Sequence, residues 1–225
     1  MVCINNIYWR LLGVFIITVI FAGCSGAPKK AEHAQDQTAA EGEQDGGGEP
    51  PMILIANPYL DGKPSIPAKA KEEFAKATVA MNAGQWGQAE GLLRLMTETY
   101  PQLSGPFVNL GISLYNLERV DEAETALKQA IVVNSTNMDA YTWLGYLYRE
   151  QGRFSEAEQN YLAALEIWPH HSDSHRNLGI LYDLYMGRFD EALKHYQMLQ
   201  RILPEEDRQV KGWIMDLQRR LPKAS

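Results

Sequence analysis

The chain has 225 residues and a formal net charge of −7 at pH 7, with 45% hydrophobic and 22% charged residues. An acidic balance removes the electrostatic case for nucleic-acid binding and for membrane attachment through basic residues. The only cysteines are Cys3 and Cys24. They are too few for a disulfide framework or a cysteine-based metal site, so any fold must be held by its core.

The first segment reads as a targeting signal. Leu11 to Ala22 is an apolar run broken only by Gly13 and Thr18, and Arg10 is the one charge before Lys29. A bilayer-spanning helix needs about 20 apolar residues, so this run fits a signal peptide better than an anchor. It ends in Phe21-Ala22-Gly23-Cys24-Ser25. Small residues directly before a cysteine resemble the lipobox of bacterial lipoproteins, with Phe21 where leucine is usual. The resemblance implies a signal peptide over residues 1–23 and acylation of Cys24. Ser25, in place of aspartate, implies transfer to the periplasmic face of the outer membrane.

From Ser25 to Pro51 there is no large apolar residue, and Gly46-Gly47-Gly48 lies near the end. Such a stretch cannot bury enough surface to offset its ordering entropy. We read residues 24–67 as a disordered tether, with a coil dimension of about 25–30 Å for its polar part. Within it, Met52-Ile53-Leu54-Ile55 is a short apolar run, followed by Asn57-Pro58-Tyr59-Leu60 and by Pro64 and Pro67. Prolines exclude a helix interior here. Residues 52–60 are expected either to pack on the first repeat or to serve as a linear motif for another protein.

From Ala68 onward the pattern is helical and repeats about every 34 residues. The clearest copy, residues 138–171, reads Tyr141-x-x-Leu144-Gly145-x-x-Tyr148, then Gly152, Ala157-x-x-x-Tyr161 and Pro169. Copies at 70–103, 104–137 and 172–206 fall in register through Gly84, Ala89 and Leu93, through Leu110, Gly111 and Ala123, and through Leu178, Gly179 and Ala192. This resembles the tetratricopeptide repeat, a helix–turn–helix unit. The resemblance implies an all-α solenoid of four repeats over residues 68–206, each with helices A and B. Small residues at Gly111, Gly145, Gly179, Ala89, Ala123, Ala157 and Ala192 are expected where helices cross closely. The second repeat has Glu118 in place of the turn glycine and Ser135 in place of the terminal proline. Its loops are therefore expected to be less constrained. The fourth has one extra residue before Gly187, which should distort its A–B turn. Over residues 207–221, Val210, Trp213, Ile214, Leu217 and Leu221 share one face of a capping helix, as a solenoid end requires.

His170, His171 and His175 cluster at the junction of the third and fourth repeats. A metal site there is conceivable, but two adjacent turn histidines do not share a helix face. The sequence carries none of the common nucleotide, nucleophile-elbow or zinc-protease motifs, and the reading is of a non-enzyme without cofactors. In the repeat family the concave wall is lined by fixed helix A positions. Carried over, these are Val108, Ile112 and Tyr115, then Asp139, Thr142, Tyr146 and Arg149, then Asp173, Arg176, Ile180 and Asp183. The lysine–asparagine clamp that some members use for a carboxylate is not matched, since Ile112, Tyr146 and Ile180 stand at those places. The expectation is a lipid-anchored adaptor that binds a protein or peptide in this groove, with no nucleic acid or small-molecule substrate. Its architecture is similar to that of the type IV pilus pilotins. The alternative is a homo-oligomer joined through Trp213 and the capping helix, or, less favoured, a metal-binding protein or enzyme using the histidines.

Overall fold

The architecture follows from one repeated local event, in which a helix ends, turns through a left-handed residue and returns. A computed structural model describes residues 55–58 and 66–222. The apolar run, Cys24, the polar tether and most of residues 52–60 lie outside the described residues. In chain order the helices are α1 (Ala68–Asn82), α2 (Trp86–Thr99), α3 (Ser104–Asn116), α4 (Val120–Val133), α5 (Met138–Glu150), α6 (Phe154–Ile167), α7 (Ser172–Ile180), α8 (Phe189–Ile202) and α9 (Arg208–Arg220). They pack as antiparallel pairs α1–α2, α3–α4, α5–α6 and α7–α8, each pair resting on the next, with α9 on α8. The expected all-α solenoid is what forms. Among the described residues, no helix is long and apolar enough to cross a membrane.

The crossing inside three of the four pairs is close because one partner has no side chain there. A Cβ on Gly111 would stand 2.7 Å from Leu127 Cγ, and one on Gly145 would stand 2.7 Å from Tyr161 Cε1. Gly179 faces Tyr196 in the same way. Leu127, Tyr161 and Tyr196 are essentially inaccessible, as are the crossing alanines Ala89, Ala123, Ala157 and Ala192. Burying side chains of this size is worth roughly 1.5–3 kcal/mol each. In the first repeat Ala77 and Leu93 hold the equivalent places, and both are buried.

Three A–B turns use a glycine in the left-handed region: Gly84 at φ 70°, Gly152 at φ 75° and Gly187 at φ 65°. The second turn was expected to be looser without its glycine. Instead Glu118 adopts the same conformation, at φ 63°, and its amide still donates to the Tyr115 carbonyl at 3.0 Å. Packing of α3 on α4 imposes the turn whatever residue occupies it. The loop lacking a proline at Ser135 is likewise fixed by other means. Asn134 Oδ1 accepts from the Thr136 amide at 2.9 Å. Asn137 caps α5 and donates to the Ser104 hydroxyl at 2.9 Å. The extra residue of the fourth repeat is absorbed as a π-helical turn, Leu181–Met186, that ends in Gly187.

The last helix is capped by Asp207, whose side chain accepts from the amides of Gln209 and Val210. Arg219 and Arg220 lie in its final turn, where positive charge suits the helix dipole. Val210 and Leu217 are fully buried, and Trp213 stacks on Tyr196 with ring centroids 4.9 Å apart. Of the face expected at a subunit interface, Val210 and Leu217 are thus occupied within the chain, whereas Trp213, Ile214 and Leu221 stay partly exposed.

A non-glycine residue held at positive φ costs about 1 kcal/mol or more, while glycine adds back part of that as unfolded-state entropy. Glu118→Gly is therefore expected to stabilise the protein by about 0.5–1 kcal/mol. A urea titration should show a higher midpoint with an unchanged slope. A lower midpoint would mean that the turn conformation is wrong.

Candidate binding groove and its surroundings

The helix A positions converge on an aromatic strip. Tyr115 and Tyr146 meet edge to face with centroids 5.4 Å apart and hydroxyl oxygens 3.4 Å apart. Trp143 meets Tyr146 edge-on, also at 5.4 Å. The Arg149 guanidinium lies 4.9 Å from the Tyr146 ring and 5.7 Å from the Tyr185 ring. It also donates to Asn177 Oδ1 at 3.2 Å and pairs with Glu150 at 3.2 Å. Burial pushes the Tyr146 hydroxyl far above the usual tyrosine range, and its bond to Tyr115 adds to this. Tyr146 therefore stays protonated and can act only through shape and hydrogen bonding.

The structure divides the groove residues expected from sequence. Val108, Ile112, Thr142 and Arg149 are buried within the chain. Thr142 Oγ1 lies 2.9 Å from Ser174 Oγ, so it joins α5 to α7 rather than facing solvent. Arg176 pairs with Asp207 at 3.4 Å, and Asp183 pairs with Arg220 at 3.1 Å. Both are committed to holding α9. Asp173 is partly buried, and that burial raises its carboxyl above the usual range. Asp139 is exposed. Tyr115, Tyr146 and Ile180 are partly exposed and form the part of the set open to a partner. Tyr185, which the π-helical turn brings against Arg149 and 5.2 Å from Phe154, was not foreseen. Only the inserted residue before Gly187 hinted at it.

The histidines do not converge on a common point. His175 Nε2 lies 2.9 Å from the Pro169 carbonyl, and its Nδ1 lies 2.9 Å from His195 Nδ1. Since a carbonyl can only accept, His175 carries its proton on Nε2 and accepts at Nδ1 from His195. His171 Nδ1 lies 2.8 Å from Ser174 Oγ. His170 Nδ1 accepts from the Ile55 amide at 3.0 Å. Among the described residues no group of three or more His, Cys, Asp or Glu is placed to hold a metal. His195 was missed because nothing in its local sequence marks it as the partner of a residue on another helix.

A second feature, a ladder of arginines, is written plainly in the repeat register. Arg119, Arg153 and Arg188 precede their B helices and pair with Glu122, Glu156 and Glu191 three residues on. Each also reaches back to the preceding B helix. Arg119 meets Glu90 at 2.6 Å, Arg153 meets Glu124 at 3.1 Å and Arg188 meets Glu158 at 2.7 Å. Tyr148 and Tyr182 donate to the same Glu124 and Glu158. These contacts join repeat to repeat along one edge. Glu124 also pairs with Lys128, at 2.6 Å.

Residues 136–205 match the tetratricopeptide repeat model. This segment, the third and fourth repeats, is similar to a tetratricopeptide repeat array. Human cilia- and flagella-associated protein 70 is 40% identical over 61 residues, which are 27% of this chain and 5% of that protein. The chain thus spans a small fraction of that relative's length. The solved structure of pilF from Pseudomonas aeruginosa aligns with a TM-score of 0.61 and 22% identity, over 67% of this chain and 68% of that one. YrrB, described as a tetratricopeptide repeat protein with an unusual peptide-binding site, aligns with a TM-score of 0.52 and 22% identity, over 65% and 74% of the two chains. At that level of identity the two structures show a shared fold.

Burial holds both members of the histidine pair neutral. It lowers His175 and brings His195 down to about 4, helped there by His175 and by the positive charge of Arg188. Histidine in the unfolded chain titrates near pH 6.5, at about its model value. As pH falls, the unfolded state takes up protons first. The stabilising contribution is complete above about pH 6.5 and is lost toward about pH 4. Unfolding free energy should therefore drop by on the order of 1 kcal/mol per pH unit between about pH 6 and 4.5. His195→Gln, which keeps a donor for His175, should flatten that slope. An equal slope in both proteins, by urea titration, would refute the assignment.

Proposed function

We propose that this protein is an envelope lipoprotein that binds a protein or peptide partner on the concave face of its repeats, as an adaptor in assembling a membrane or cell-surface machine. The observation that carries the reading is the partly open strip of Tyr115, Tyr146 and Ile180, backed by Trp143 and Arg149. Rigid aromatic side chains and arginine are over-represented among residues that dominate binding energy. A repeat scaffold presents such a strip as one continuous surface. The peptide-binding description of YrrB supports the same use of the fold. The envelope setting rests on the apolar run and on Cys24.

The groove is tested by photocrosslinking. A benzophenone probe placed at Tyr115 or Tyr146 in cells should yield one discrete protein adduct, and the same probe at the outer position Gln159 should not. Tyr146→Ala should weaken partner binding by about 2 kcal/mol, as expected for a buried aromatic anchor, while the circular dichroism stays helical. Adducts from Gln159 alone would place the interface on the other face.

Anchoring is tested separately. Two or more acyl chains, at about 0.8 kcal/mol per buried methylene, hold a protein stably on a membrane. Cys24→Ala should leave the signal uncut or release the protein from the membrane fraction. A Cys24→Ala chain that is still processed and still sediments with the outer membrane would overturn the lipoprotein assignment.

A further inference from the structure

The turn between α6 and α7 holds a residue of the chain itself by its backbone. Trp168 Nε1 donates to the Ile55 carbonyl at 2.8 Å, and His170 Nδ1 accepts from the Ile55 amide at 3.0 Å. Both main-chain groups of one residue are thus satisfied by two side chains that flank Pro169. Ile55 is 58% exposed, although both its main-chain groups are bonded. Ile55 therefore lies against the third–fourth junction through its main chain, and not on the first repeat.

The turn is built to hold this geometry. The Trp168 carbonyl accepts from the His171 amide at 3.0 Å. The Pro169 carbonyl accepts from His175, which His195 supports in turn. Trp168 and His170 meet edge to face, with ring centroids 6.5 Å apart, and His170 is 7% exposed. The equivalent pairs at the other junctions are Tyr100 and Gln102, Asn134 and Thr136, and Leu203 and Glu205. None of these combines an indole donor with an imidazole acceptor.

The geometry points to a main-chain-reading site at Trp168 and His170 for an extended peptide, which the chain's own Ile55 segment fills until a peptide displaces it. An extended strand offers an N–H and a C=O on each residue, and backbone pairing supplies affinity without regard to side chain. The exposed Ile55 side chain matches such indifference. Proline is the residue the site cannot accept, because it has no N–H for His170. A segment tethered in cis acts at millimolar effective concentration, so a weaker free peptide is kept out. This site is distinct from the Tyr115–Tyr146 strip and does not require it.

The test uses the full chain and a fluorescein-labelled peptide with the sequence of residues 52–60, read by fluorescence anisotropy. Ile55→Pro removes the cis donor and should bind the peptide at least ten-fold more tightly than the unaltered chain. Adding Trp168→Phe or His170→Leu should abolish that gain with helicity unchanged, whereas adding Tyr146→Ala should leave it intact. Sensitivity to Tyr146→Ala but not to Trp168→Phe would place the peptide in the aromatic strip and overturn this site. Equal binding by the Ile55→Pro and unaltered chains, or equal binding of a peptide with proline in the Ile55 place, would also overturn it. Hydrogen exchange provides a check that does not rely on the variants. The Ile55 amide of the unaltered chain should exchange at least ten-fold more slowly than in the free peptide, and equal rates would refute the contact.

Discussion

The helix crossing at Gly111, Gly145 and Gly179 is the constraint on which the rest depends. At each, a single methyl group would overlap the large residue opposite, Leu127, Tyr161 or Tyr196. Such an overlap has to be relieved by displacing that side chain or shifting the helices, since cores are close-packed and relax only in part. The crossing sets the angle within a pair. That angle sets where helix A points, and so which side chains line the inner wall. The left-handed turns follow from the same requirement, as Glu118 shows by adopting a conformation that glycine would take at less cost.

Between repeats the work is divided by depth. The deep contacts are apolar and short in range, each repeat touching its neighbours. Near the surface the arginines at 119, 153 and 188 bridge two B helices each, and the tyrosines below them share the same carboxylates. Exposed ion pairs contribute little individually. Their geometric value lies in orientation, because a planar guanidinium satisfied on two sides permits few relative placements of the helices it joins.

The regularity breaks at the third and fourth repeats, and the polar features of interest collect there. The π-helical turn, the His175–His195 pair, the Thr142–Ser174 contact and the Trp168–His170 turn all lie within these two units. An inserted residue in a helix lengthens one wall of the groove and brings Tyr185 toward Arg149. Such bulges are frequent at functional sites. The groove floor is also less open than a generic repeat would suggest. Two of its charged residues hold the terminal helix, and four other positions are buried within the chain.

The sequence by itself determined the period, the pairing of helices, the crossing glycines and the capping face of α9. All of these arise from local patterns, namely apolar residues at helical spacing and small residues at a fixed offset. The arginine ladder belongs with them, for its members recur in register and could have been read there. Only the tertiary structure decided which groove positions are open, because burial depends on neighbours far along the chain. It was tertiary structure that turned Arg176 and Asp183 toward α9, joined His175 to His195 and brought Ile55 to Trp168 and His170. Those contacts rest on residues 20 to 115 positions apart. No local signal in a single chain encodes such a meeting, since it is the superhelical path of the repeats that brings the partners together.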